Sequence, residues 1–144
     1  METRLQTRNP RYCLQCDDGT VLEFGTRDVS SETRGEPYFV QDVRGWHCPV
    51  CGEIEFAQDD DSAERVSVAI EAAGRKVDAR RAKAIRATRK KLKLTQAEAG
   101  RLFGGGSTSF SEYEHGKTQP HKSTVLLLRL LDRHPELLQE LRAA

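Results

Sequence analysis

The chain of 144 residues contains no run of 18 apolar residues, so none of it is suited to cross a bilayer as a helix. The opening stretch METRLQTRNP has no apolar core of the kind that marks a secretory leader, and a cytoplasmic location is the expectation. No nucleophile–base pair stands out, and Gly104-Gly105-Gly106 is not followed by the Lys-Ser/Thr of a phosphate-binding loop. An enzyme is therefore not expected. A large net charge is also missing: the total is +1. That near-neutrality hides two opposed halves. Residues 1–73 hold 7 Lys+Arg against 15 Asp+Glu, a net of −8, whereas residues 74–144 hold 16 against 7, a net of +9. Such asymmetry suits two domains with different partners, the basic one facing nucleic acid.

Cysteine is absent beyond residue 51. The four that exist form two C-x-x-C pairs, Cys13/Cys16 and Cys48/Cys51. This spacing lets both sulfurs of a pair turn to one point, and two pairs supply the four thiolates of a closed tetrahedral site. Gly52, just past the second pair, permits the tight turn that brings backbone N–H groups toward sulfur. Two disulfides would need an oxidising compartment, and a redox pair would want a helix start in a βαβ setting. Iron in a four-sulfur site is chemically possible. The reading adopted is one structural Zn2+ per chain on Cys13, Cys16, Cys48 and Cys51. Four protein ligands leave no position for substrate, so the metal builds structure only. His47, directly before Cys48, is the one conceivable substitute ligand.

Between residues 12 and 56 the pattern is of short strands around the two cysteine pairs: Thr20 to Phe24 alternates, Tyr38-Phe39-Val40 and Val43 follow, and residues 30–37 read as a hairpin loop. Trp46, Phe24 and Phe56 are expected to form the small core of this domain. Ser62 is expected to cap a helix carrying Val66, Ile70 and Ala73 inward and stopping at Gly74. The aspartates Asp59, Asp60 and Asp61 read as a solvated helix start. A separate basic helix is expected over residues 78–92, carrying Arg80, Arg81, Lys83, Arg86, Arg89, Lys90 and Lys91, with Ala84, Ile85, Thr88 and Leu92 as a narrow apolar stripe.

Next, Thr95 and Glu98 have the spacing of a capping box, and Ala97, Leu102 and Phe103 give a short helix an inward face. Three glycines then force a turn. A second short helix over residues 107–115 buries Phe110 and Tyr113, and Gly116 stops it. Helix, glycine turn, helix is the pattern of the DNA-binding helix-turn-helix. Val125 to Leu131, with Leu137, Leu138 and Leu141, is apolar on more helix faces than one small domain can bury, which predicts a homodimer through the C-terminal domain.

The stretch Leu94-Thr95-Gln96 with Ala99, then Phe110-Ser111, Tyr113-Glu114 and Gly116, resembles the Cro/repressor-type helix-turn-helix. With the cysteine pairs ahead of it, and Gln119-Pro120-His121 and residues 131–138 (LDRHPELL) behind it, nearly the whole chain resembles the MqsA-type antitoxins of bacterial type II toxin–antitoxin pairs. The fold that follows is an α+β zinc-knuckle domain over residues 1–73 and an all-α helix-turn-helix domain over residues 74–144. The resemblance implies that the zinc domain neutralises an MqsR-like ribonuclease toxin, and that the C-terminal domain binds operator DNA and represses the operon. The alternative is a zinc-containing regulator without a toxin partner. By position on the second helix, Thr108, Ser109 and Glu112 are the expected base-reading residues. Thr108 and Glu112 replace the Asn and Arg common in the family, so a different operator is expected. Gln96, Arg101, Ser107, Lys117, His121 and Lys122 are the expected phosphate contacts, with Lys93 as an addition.

Overall fold

A computed structural model describes residues 9–144. The chain divides into two compact units, Met1–Gly74 and Arg75–Ala144. The first holds a three-stranded antiparallel sheet in the order β1-β2-β3, with β1 at Glu23–Thr33, β2 at Glu36–His47 and β3 at Ile54–Phe56. The helix α1, Ser62–Lys91, begins in the first unit and ends in the second. The rest of the second unit is α2 (Gln96–Phe103), α3 (Ser109–Glu114), α4 (Lys122–Arg133), a 3-10 turn at Pro135–Leu137 and α5 (Leu138–Ala143).

The expected loop over residues 30–37 is almost entirely strand. Arg34 and Gly35 both have positive φ, 50° and 79°, and pair Thr33 with Glu36 as a two-residue hairpin turn. Positive φ at both central positions matches the turn's twist to that of the strands, so the hairpin extends to the turn itself. The register slips between Arg27 and Val29, where Asp42 is left-handed (φ 51°) and its N–H donates to the Asp28 carboxylate. Gly45 is required where β2 meets β3, because a Cβ there would lie 2.5 Å from the Glu55 carbonyl oxygen.

The hydrophobic centre of this sheet is not the aromatic trio. Val40, Val43 and Val66 are buried together, with Val29, Tyr38, Ile54, Phe56 and Ala69 packed around them. Phe24 instead lies on the open face, 52% exposed, with its ring 4.8 Å from that of Trp46. The guanidiniums of Arg11 and Arg44 stand over Trp46 and Phe24, at 3.9 and 5.4 Å from the ring centroids. Period-two alternation decides this: Phe24 falls on the face opposite Val29 and Val40. Ile70 likewise points outward, and Val66, Ala69 and Ala73 carry the inward stripe of α1.

Ser62 does not cap α1 but is its first residue, fully buried, and its hydroxyl accepts the Arg44 N–H at 2.9 Å. Both its own N–H and its hydroxyl donate to Asp60. The aspartates are thus engaged: Asp59 pairs with Arg44 and Asp61 with Arg65, whose guanidinium also donates to the carbonyls of Gln41 and Asp42. Gly74 does not stop the helix. One interior glycine costs about 1 kcal/mol, and the Ala-, Arg- and Lys-rich sequence on either side offsets it. Without a Cβ, its carbonyl is open to the Arg34 guanidinium at 2.8 Å.

In the second unit Ile85, Leu92, Leu94, Ala99, Phe110, Leu128, Leu131 and Leu138 form one core. Phe103 and Tyr113 pack on Phe110 with ring centroids 5.6 and 5.5 Å away. Ile85 and Thr88 are the buried side of α1 here, Leu92 is buried just past its end, and Ala84 is exposed. The helix ends at a left-handed Lys93 (φ 56°), with the Leu94 N–H returning to the Arg89 carbonyl and the Lys93 N–H to that of Lys90. That is the double hydrogen bond of a helix C-terminus normally closed by glycine.

Candidate functional site

The four cysteines, placed by two tight turns, converge. The Cys13 N–H donates to the Thr20 carbonyl and the Cys48 N–H to that of Glu53, while Gly52 (φ 79°) turns the second pair. All four Sγ atoms lie within 4.8 Å of one another, with Cys13–Cys51 at 3.5 Å and Cys16–Cys48 at 3.7 Å. A tetrahedron of thiolates at about 2.3 Å from a central ion has sulfurs about 3.8 Å apart, so these positions could hold a metal ion without rearrangement. The Val50 and Cys51 N–H groups approach Cys48 Sγ at 3.4 and 3.5 Å. These N–H groups, that of Cys51 foremost, bring the Cys48 thiol down to about 6. Its hydrogen bond with Cys51, then burial, pushes Cys16 up to about 12. Four sulfurs at one point cannot all be anionic without a cation between them, and that is the chemistry of a metal site. His47 takes no part: its buried ring meets the Val43 carbonyl through Nε2 at 3.1 Å.

In the second unit the capping box forms as expected. The Glu98 N–H donates to Thr95 Oγ1 at 3.2 Å, and the Thr95 N–H donates to the Glu98 carboxylate at 2.7 Å. That backbone hydrogen bond is the main reason the Glu98 carboxyl titrates below its ordinary range. From Phe103 the chain turns through Gly104, Gly105 and Gly106, all near φ 90°, into α3. Gly100 allows the return, since a Cβ on it would sit 1.9 Å from the Gly106 carbonyl oxygen.

Beneath this pair of helices lies a polar cluster that the sequence reading missed. Arg89 donates through Nε and Nη2 to the two carboxylate oxygens of Glu114, the second at 3.1 Å, and through Nη1 to the Leu94 carbonyl at 2.8 Å. The two side chains are only 11% and 3% exposed. Gln96 completes the cluster, its amide donating to Glu114 at 2.9 Å. Burial pushes the Glu114 carboxyl up, but the hydrogen bonds from Arg89 and Gln96 and the charges of Arg89 and Arg86 outweigh it, leaving the pKa depressed. Arg89 looked like one more charge in a basic helix. The only sequence signal was its spacing, four residues after Ile85 on the side of the helix that is buried.

The expected nucleic-acid residues divide accordingly. Thr108 is exposed ahead of α3, and Glu112 is half-buried with its carboxylate accepting from the Thr118 hydroxyl at 3.4 Å. Ser109 is turned inward. It is 5% exposed, and its hydroxyl donates to the Gly106 carbonyl at 2.9 Å, holding the glycine turn. Gln96 spends one of its two amide N–H groups on Glu114. His121 precedes α4 as its cap, accepting the Ser123 N–H at Nδ1, which leaves the ring proton on Nε2. Arg101, Ser107, Lys117 and Lys122 are exposed, and so is Lys93.

A cluster of four thiols in a small sheet unit is followed, in one chain, by a helical unit built over a glycine turn. Residues 11–142 match the family described as "Antitoxin component of bacterial toxin-antitoxin system, MqsA". Antitoxin MqsA of Escherichia coli (strain K12) is 38% identical over 130 residues, which make up 90% of this chain and 98% of that protein. The chain belongs to the MqsA antitoxin family. Among the described residues no helix is long and apolar enough to cross a membrane.

Proposed function

We propose that this antitoxin neutralises an MqsR-like ribonuclease toxin through its first unit and represses its own operon through the second. The observation that carries the reading is the family match across residues 11–142, which takes in both the thiol cluster and the paired helices. The ion is zinc, one per chain, on Cys13, Cys16, Cys48 and Cys51: four thiolates suit it, and a closed site with no open ligand position is structural. In a unit this small the metal is a main source of stability, zinc sites being worth on the order of 10 kcal/mol or more.

The second unit reads DNA as a helix-turn-helix, α2 crossing the backbone and α3 entering the major groove. Thr108 and Glu112 face base edges. Ser107, Arg101, Lys117, Lys122 and the Nε2–H of His121 meet phosphates, and Arg89, Gln96 and Glu114 fix α3 from beneath. Two copies pair through α4, where Leu126 and Leu130, one turn apart, are 51% and 47% exposed. A two-fold dimer matches DNA read as paired half-sites.

The reading is tested by expressing the neighbouring reading frame with and without this chain. Growth arrest and RNA cleavage by the neighbour alone, both relieved by co-expression, with a stable complex on purification, is the expected result. A neighbour that is harmless and does not co-purify would leave a DNA-binding regulator without a toxin. Elemental analysis of the purified protein should return one zinc per chain.

A further inference from the structure

Among the described residues β1 has a strand on one side only, so its other side is an open edge. The pairing fixes which of its backbone groups are spare. Thr33 and Glu36, flanking a two-residue turn, exchange both of their hydrogen bonds, and pairs then alternate along an antiparallel ladder. Glu32 and Ser30 therefore turn N–H and C=O away from β2. Pro37 opposite Glu32 fits this register, since it lacks a donor where none is needed. Beyond the bulge, the Arg44 N–H donates to Ser62 Oγ and the Arg44 carbonyl accepts from Ala57, both away from β1. Its partner Thr26 then faces outward too, as does Phe24 two residues earlier.

The edge runs 11 residues and contains no proline or lysine, two of the devices that usually blunt an exposed strand. Its charges are Glu23, Asp28 and Glu32 against Arg27, and Arg27 is already tied to Glu23 at 2.5 Å. A second copy would set two edges of the same negative sign together, which is unfavourable for directly opposed strands. A strand carrying Lys or Arg suits it.

We propose that the outer edge of β1 receives a basic strand of the toxin, which extends the sheet to four strands. This rests on the toxin reading above. Main-chain hydrogen bonds from Phe24, Thr26, Ser30 and Glu32 supply the register, and Asp28 and Glu32 select the sign of the partner.

The test is amide hydrogen exchange on the full-length protein, alone and with the co-encoded toxin, together with the affinities of Ser30→Pro and Ser30→Ala. In the complex the amides of Thr26, Ser30 and Glu32 should slow at least tenfold, while those of Ser31 and Thr33, already bonded to β2, change little. Ser30→Pro should weaken toxin binding by about tenfold or more, through the lost donor and the ring in the path of the incoming strand. Ser30→Ala should bind within twofold of the unsubstituted protein. The thiolate absorption of the cobalt-loaded protein reports whether Ser30→Pro keeps its fold; if it does not, the exchange pattern alone decides. Unchanged affinity of a folded Ser30→Pro, or no slowing at these amides in the complex, overturns the proposal. Slowing that grows with the concentration of this chain alone assigns the edge to a second copy and also overturns it. If the unsubstituted protein fails to bind the toxin at all, the toxin reading itself falls, and the edge assignment with it.

Discussion

Replacing Glu114 by Gln should be among the most damaging isosteric changes in the helical unit. The carboxylate is 3% exposed and receives two hydrogen bonds from Arg89 and one from Gln96. Glutamine keeps the shape and one acceptor but leaves the Arg89 guanidinium, 11% exposed, without a counter-charge. Removing one partner of a buried pair costs about 3–5 kcal/mol; the lower end, about 3 kcal/mol, applies here because Arg89 keeps the Leu94 carbonyl. For a domain of this size that is a fall in melting temperature of roughly 12–24 °C. The loss also has a pH signature. Since the folded carboxyl titrates below its ordinary range, its contribution is complete above about pH 4.3, the unfolded value, and disappears as pH falls toward the folded value. The uncharged variant has no such term, so the gap between the two proteins should close in acid. Calorimetry of the full chain from pH 7 to pH 3, with exchange at the Ala99 and Phe110 amides to identify the helical unit, measures both effects. A loss under about 1 kcal/mol at pH 7, or one of equal size at pH 3, would refute the argument that Glu114 acts as a buried counter-ion.

Cys48→Ser, or a strong chelator, should release the metal and unfold the sheet unit while the helical core around Phe110 keeps its exchange protection; a sheet that stays folded without metal would contradict the structural role. Gly100→Ala should cost about 1–3 kcal/mol and abolish operator binding, because its Cβ collides with the Gly106 carbonyl and separates α2 from α3; the readouts are thermal melting and gel shift. Lys93→Gly should raise stability by about 0.5–1 kcal/mol by relieving the left-handed residue after α1, measurable in urea unfolding. Thr108→Asn with Glu112→Arg should change the consensus selected from random DNA, each base contact discriminating by about 1–3 kcal/mol; an unchanged consensus would place the recognition face elsewhere.

Local patterns in the sequence were enough for the thiol cluster, the Thr95–Glu98 capping box and the buried Phe110, because each depends on residues of fixed chemistry at short spacing. The two C-x-x-C pairs carry their geometry in the chain, although 31 residues separate them. The helix pair was legible for the same reason: three glycines admit little but a turn. The misses share another cause. Phe24 and Ser62 were placed by residue type and Ile70 by helical spacing, but the face that meets a neighbour is set by what packs against it. For the β1–β2 pair, a bulge at Asp42 and a hairpin turn at Arg34-Gly35 decide the register over a distance.

What the sequence determined by itself, then, is the pair of units, the four-cysteine cluster, the family and the short helices around the glycine turn, all written in local chemistry. Only the tertiary structure decided that Arg89 is a buried counter-ion and not a surface charge, that Ser109 and Gln96 bond to the glycine turn and to Glu114, and that β1 has an open edge among the described residues. Each of these turns on what stands opposite a side chain or backbone group. A partner 25 residues away, as Glu114 is from Arg89, leaves no trace in the spacing around either residue.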